Sequence, residues 1–122
     1  MKKVKFFITN NNFTSRSMAR GITAFPSSGY LFTHSEHPGR EFVVSHPIFV
    51  DNRRGQGWGP NTKTWAAYDR VSGYRVVGKR SFLTRAEALD AARGFLSVTS
   101  PEAFEQSIHT RRNKLAAFIL EQ

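Results

Sequence analysis

The spacing of apolar positions changes once along the chain, near residue 80. Before that point apolar residues recur at every second position in short runs, and after it at every third and fourth. Val4, Phe6 and Ile8 alternate with Lys3, Lys5 and Phe7. This predicts a first strand with one apolar and one basic side, ended by Asn10-Asn11-Asn12 because asparagine favours turns. Residues 14–20 have no period and read as loop. Gly21–Phe25 and Tyr30–Thr33 flank Pro26-Ser27-Ser28-Gly29, a proline-to-glycine spacing that predicts a hairpin. His37-Pro38-Gly39 predicts another turn. Glu41–Ser45 and Ile48–Val50 are rich in β-branched and aromatic residues, and Pro47 between them places this strand at an edge or bends it. Residues 51–63 hold three glycines, a proline and the pair Arg53-Arg54, and read as one long loop. Trp65–Arg70 and Tyr74–Val77, around Val71-Ser72-Gly73, predict a second hairpin.

The last third reads as two helices. Thr84 precedes Glu87 at capping-box spacing, and Ala88, Leu89, Ala92, Phe95 and Leu96 share one helical stripe. Ser100-Pro101-Glu102 restarts the pattern with a serine cap, a proline in the first turn and an acid beside it. Phe104, Ile108, Leu115, Phe118 and Ile119 make the second stripe. Arg111, Arg112 and Lys114 then fall toward the helix end, where cations oppose the helix dipole without needing a ligand. Strands grouped before helices predict an α+β fold: an antiparallel sheet of about five or six strands followed by two C-terminal helices packed on one face. The 122 residues suit a single domain, 1–122, with a basic strand-and-loop part (1–80) and a charge-neutral helical part (81–122).

Charge narrows the class of partner. Residues 1–80 carry 13 Lys/Arg against 4 Asp/Glu, whereas residues 81–122 carry 5 of each, so the whole net charge of +9 lies in the first part. A field of one sign attracts polyanions, of which nucleic acid, DNA or RNA, is the commonest. An acidic protein surface is the alternative. With no cysteine, thiol catalysis, disulfides and cysteine-based zinc sites are excluded, and a reducing cytoplasm fits. The N-terminal apolar run is too short for a signal peptide and no run approaches a membrane span, so no membrane partner is expected.

Catalytic signals are sparse. No carboxylate pair, phosphate-gripping glycine loop or nucleophile elbow occurs. His34-Ser35-Glu36-His37 offers two nitrogens, which read better as polar loop histidines than as a metal site. No metal and no cofactor are expected. A small metal-independent ribonuclease using His46, His109, Arg111, Tyr68 and Tyr74 stays open, since such sets leave no compact motif. His109 has cationic neighbours and His46 shows no evident orienting partner, so neither histidine is read as catalytic.

Lys63–Arg70 and Tyr74–Arg80 interleave basic and aromatic residues. Cations neutralise phosphates and aromatic rings stack on unpaired bases. Arg70, Arg75, Lys79 and Arg80 are the contact candidates here, with Lys63 beside them. At least one of Trp65 and Tyr68 is expected in the core. In the glycine-rich stretch, Arg53, Arg54 and Trp58 are further candidates, Trp58 either stacking on a ligand or folding back onto the sheet edge. Residues 65–92 run strand, turn, strand, then Phe82-Leu83-Thr84-Arg85-Ala86-Glu87-Ala88-Leu89-Asp90-Ala91-Ala92. This unit resembles the sheet-plus-helix of integrase arm-type DNA-binding domains and plant ethylene-response-factor domains. The resemblance implies DNA contact through Trp65, Arg70, Arg75 and Arg80. It lacks a clear third strand before Trp65. Size, charge and absence of cysteine also look like phage or plasmid accessory proteins. The sequence therefore predicts a non-catalytic nucleic-acid-binding accessory protein. The alternatives are a phage or plasmid inhibitor of a host protein or nucleoprotein complex, such as an anti-CRISPR, and then the ribonuclease.

Overall fold

The computed structural model describes residues 1–11, 13, 18, 21–51 and 57–121. In chain order its elements are β1 (Lys3–Thr9), β2 (Ala24–Thr33), β3 (Glu41–Ser45), β4 (Ile48–Asp51), β5 (Gly57–Pro60), β6 (Ala66–Asp69), α1 (Arg85–Val98) and α2 (Pro101–Leu120). Four strands form an antiparallel sheet in the order β1-β2-β3-β6, and β4 and β5 form a separate two-stranded ribbon. The α+β class and the two C-terminal helices are those the periodicity predicts, with the strands divided between two sheets.

Local patterning explains most of these elements. β1 buries Val4, Phe6 and Ile8 and exposes Lys3, Lys5 and Phe7, as strict alternation requires. Both helix starts carry the expected caps. Thr84 Oγ1 accepts from the Glu87 N–H at 3.1 Å, and Ser100 Oγ from the Ala103 N–H at 3.1 Å.

Four expectations are corrected. Pro26–Gly29 is no turn but the middle of β2, which runs unbroken through it. Pro26 pairs only with β1, because β2 meets β3 only from Tyr30 onward, so it sits where no strand lies on its other side. Gly29 serves packing: a Cβ there would lie 2.3 Å from the Val44 carbonyl oxygen. Second, Pro47 does separate two strands, but β3 is interior to its sheet, and the chain beyond the proline leaves for the ribbon. Third, residues 57–60 are not loop but β5, with Trp58 opposite Val50. Fourth, Tyr74–Val77 makes no full strand, only a bridge between Arg75 and Tyr68.

The sheet curls strongly. Phe6 of β1 and Tyr68 of β6 are three strands apart, yet their rings lie 5.7 Å from centre to centre. Beyond β6, the Thr9 N–H donates to the Gly73 carbonyl at 3.0 Å. Gly73 is obligatory at this closure. Its φ is +73°, and a Cβ would lie 2.3 Å from the Phe7 carbonyl oxygen. Inside the curl, Val4, Phe6, Ile8, Val43, Ala66 and Tyr68 form one core, with Ile48 of the ribbon packed against it. Outside it, Phe32, Phe42, Val44 and Ala67 meet Ala88, Ala92 and Leu96 of α1 and Phe104 and Ile108 of α2. Both helices thus cover one face.

Two histidines and an ion pair fix the loops between these layers. His37 is buried, and its Nε2 donates to the Leu96 carbonyl at 2.9 Å, meeting an acceptor near the end of α1. His34 Nε2 lies 3.1 Å from Ser97 Oγ. Among the described residues no group of three or more His, Asp or Glu could hold a metal ion. Asp69, only 1% exposed, accepts from Arg40 at 3.0 Å and from the Ser72 N–H and hydroxyl at 2.9 and 2.6 Å. Arg40 also pairs with Glu105.

Candidate nucleic-acid interface

The residues singled out from sequence do not fall in one place. Arg53 and Arg54 lie outside the described residues. Arg70 pairs with Glu41 at 3.1 Å, which offsets its charge. Lys63 is exposed in the turn before β6. Trp58 is 38% exposed and leans on Phe25, with ring centres 5.0 Å apart, so it both folds back and keeps part of its surface open. Of the pair Trp65 and Tyr68, Tyr68 is buried and Trp65 is half-buried. Arg75 is largely architectural. Its Nη1 donates to the carbonyls of Lys79 at 3.0 Å and Arg80 at 3.4 Å, closing the turn that displays those two side chains. Lys79 and Arg80 are exposed, and Arg80 lies 5.1 Å over the Phe82 ring.

This turn meets cations that sequence reasoning had assigned to the helix dipole. α2 runs on to Leu120, with no basic residue in its last turn, so Arg111 and Lys114 sit well inside it. The dipole effect fades within one turn and does not account for them. Arg111 Nη1 donates to the Arg75 carbonyl at 2.7 Å, and its guanidinium lies 5.6 Å from the Tyr74 ring centre. Arg75, Lys79, Arg111 and Lys114 line a cleft of about 460 Å³, with Tyr74 and Asn11 among the other lining residues and no carboxylate. Burial lowers the Arg111 pKa, and the neighbouring Tyr74 partly opposes this. Burial likewise raises the Tyr74 pKa, against the pull of Arg112 and Arg111. A half-buried cation without a carboxylate has lost hydration and gained no counter-charge. The lining of the cleft is therefore positively charged, with no carboxylate to offset it.

A second basic surface lies on the outer side of β1 and β2. Lys3 stands opposite Tyr30, Lys5 opposite Ser28, and the exposed Phe7 opposite Pro26. The Arg85 guanidinium covers the Tyr30 ring at 4.3 Å, Trp65 lies 6.4 Å from it, and the His46 ring lies tilted against Trp65 with centres 4.0 Å apart. His46 does have a partner: its Nδ1 lies 2.8 Å from the Thr64 carbonyl. Sequence reasoning showed the basic side of β1 but not its aromatic neighbours, because Tyr30 and Trp65 arrive from distant segments. Among the described residues, the ion pairs engage only Arg40 and Arg70, so these two surfaces keep their charge.

The five ribonuclease candidates are not brought together. Tyr74 and Arg111 share the basic cleft, His46 lines another cleft beside β2, and His109 lines a third with Arg40 and Glu105. Tyr68 is buried, which raises its pKa against the opposing charge of Arg75. No described helix is long and apolar enough to cross a membrane. The chain matches no protein-family model, and no curated protein or solved structure gives a match to it.

Proposed function

We propose that this chain is a small basic nucleic-acid-binding protein that acts by binding rather than catalysis. The carrying observation is the cleft in which Arg75, Lys79, Arg111 and Lys114 converge with no carboxylate among its lining residues. Phosphate is the anion that repeats along a polymer, and two separated basic surfaces suit a polymer better than a single small anion. The dispersal of His46, His109 and Tyr74 over three clefts supports the non-catalytic part of the reading.

The test is fluorescence anisotropy with labelled DNA and RNA across a salt series, comparing the native chain with a Lys79→Ala/Lys114→Ala variant. Binding that weakens steeply with salt, and is weaker in the variant at every salt, is the expected result. No binding at low salt would overturn the reading. A lysate pull-down that survives nuclease and yields one defined protein would favour the inhibitor reading instead.

A further inference from the structure

A cleft of about 520 Å³ lies between β2 and the β4–β5 ribbon, apart from the Arg111 cleft. It exists because β2 is longer than its partner. Residues 24–30 of β2 pair with β1, but β3 pairs only from Tyr30 and reaches no further than Ser45 beside Ser28 and Gly29, leaving one side of the Ala24–Ser27 stretch without a strand. The chain then breaks at Pro47 and returns as the ribbon, which walls the gap on its far side. The volume falls in the range of small-ligand sites.

Its lining is specific in chemistry. Trp58 gives an aromatic surface with 38% of its area open. Lys5, exposed on β1, gives a positive charge, and Ser28 and Thr62 give hydroxyls. His46 is held on two sides, by the Trp65 ring at 4.0 Å and by its Nδ1 bond to the Thr64 carbonyl at 2.8 Å. Nδ1–H donates in that bond, because a carbonyl can only accept, and Nε2 is the ring's other hydrogen-bonding atom. No carboxylate lines the cleft.

We propose that this cleft receives an unpaired base of a single-stranded nucleic acid. Trp58 stacks on the base, Lys5 meets its phosphate, and His46 Nε2 with the hydroxyls bonds the base edge. The proposal rests on the nucleic-acid reading above and narrows it. A base in a duplex is stacked on both faces and paired along its edge, so it presents neither to the cleft, whereas an unpaired base presents both.

The test compares a short oligodeoxythymidylate, the matching oligouridylate, and a duplex of equal length at one salt concentration. Trp65→Phe leaves Trp58 as the only emitting tryptophan. Its fluorescence should be quenched by the single strands and not by the duplex, and the more strongly quenching strand distinguishes DNA from RNA. Trp58→Leu should weaken single-strand binding by about five-fold or more and leave duplex binding unchanged. Should Trp58→Leu fail to fold, the quench in Trp65→Phe still decides. Salt-dependent binding without that quench, or duplex binding as tight as single-strand binding, would overturn the base site while sparing the proposed function. Absence of salt-dependent binding to any of the three would overturn both.

Discussion

The Arg111 guanidinium donates to the Arg75 carbonyl at 2.7 Å, and this bond ties the middle of α2 to the turn beyond β6. It satisfies a donor without neutralising a charge. Arg40 and Arg70 differ in this respect, since each faces a carboxylate. The same arginine therefore shapes the cleft and supplies its field.

Shape and charge should separate by mutation. Arg111→Ala should cost about 1–2 kcal/mol of stability, because it removes a hydrogen bond to a partly buried carbonyl, and should also weaken binding. Lys79→Ala and Lys114→Ala should change stability by less than about 0.5 kcal/mol and still weaken binding. Urea denaturation beside anisotropy checks both. Lysine variants that bind as tightly as the native chain would remove the cleft from the interface.

Three glycines should respond in different ways. Gly21→Ala meets nothing within 4 Å and should cost only the left-handed penalty at φ +82°, about 1–2 kcal/mol. Gly29→Ala has no positive φ but would place its Cβ 2.3 Å from the Val44 carbonyl oxygen, so it should push β2 from β3. Gly73→Ala combines both faults, with φ +73° and a Cβ 2.3 Å from the Phe7 carbonyl oxygen. It should be the most damaging of the three. Thermal unfolding ranks them, and a Gly73→Ala protein as stable as Gly21→Ala would contradict the closure of the sheet at Thr9.

What could be read in advance was what is local. The alternation of β1, the caps at Thr84 and Ser100, and both helical stripes are set by near neighbours in sequence. The reading failed where distant segments decide. Pro26 and Gly29 look like a turn, yet one marks where β3 is missing and the other where it comes closest. Trp58 looked like loop because its strand is glycine-rich and holds only against β4. In the site, Lys79 and Arg80 were legible as exposed turn cations. That Glu41 would occupy Arg70, and that Arg111 would reach Arg75, depended on tertiary contacts.

Alkaline pH should destabilise the fold through its buried phenols. Burial pushes Tyr68 and Tyr74 above their ordinary value of 10.0. The unfolded chain therefore ionises first. Stability from this source is full below pH 10.0 and is lost as pH rises through the folded values. Tyr68→Phe should flatten the decline of the urea midpoint above about pH 10. A variant that keeps the whole decline would show that Tyr68 ionises alike in both states.

The most direct test of nucleic-acid binding is the slope of log affinity against log salt for a labelled single strand. Each phosphate contact contributes about −0.7 to that slope. With Arg75, Lys79, Arg111 and Lys114 lining one cleft and Lys3 and Lys5 exposed on β1, several contacts are available. The predicted slope is about −2 or steeper, and shallower by about 0.7 in Lys114→Ala. A slope near zero, or no measurable binding at low salt, would contradict the account.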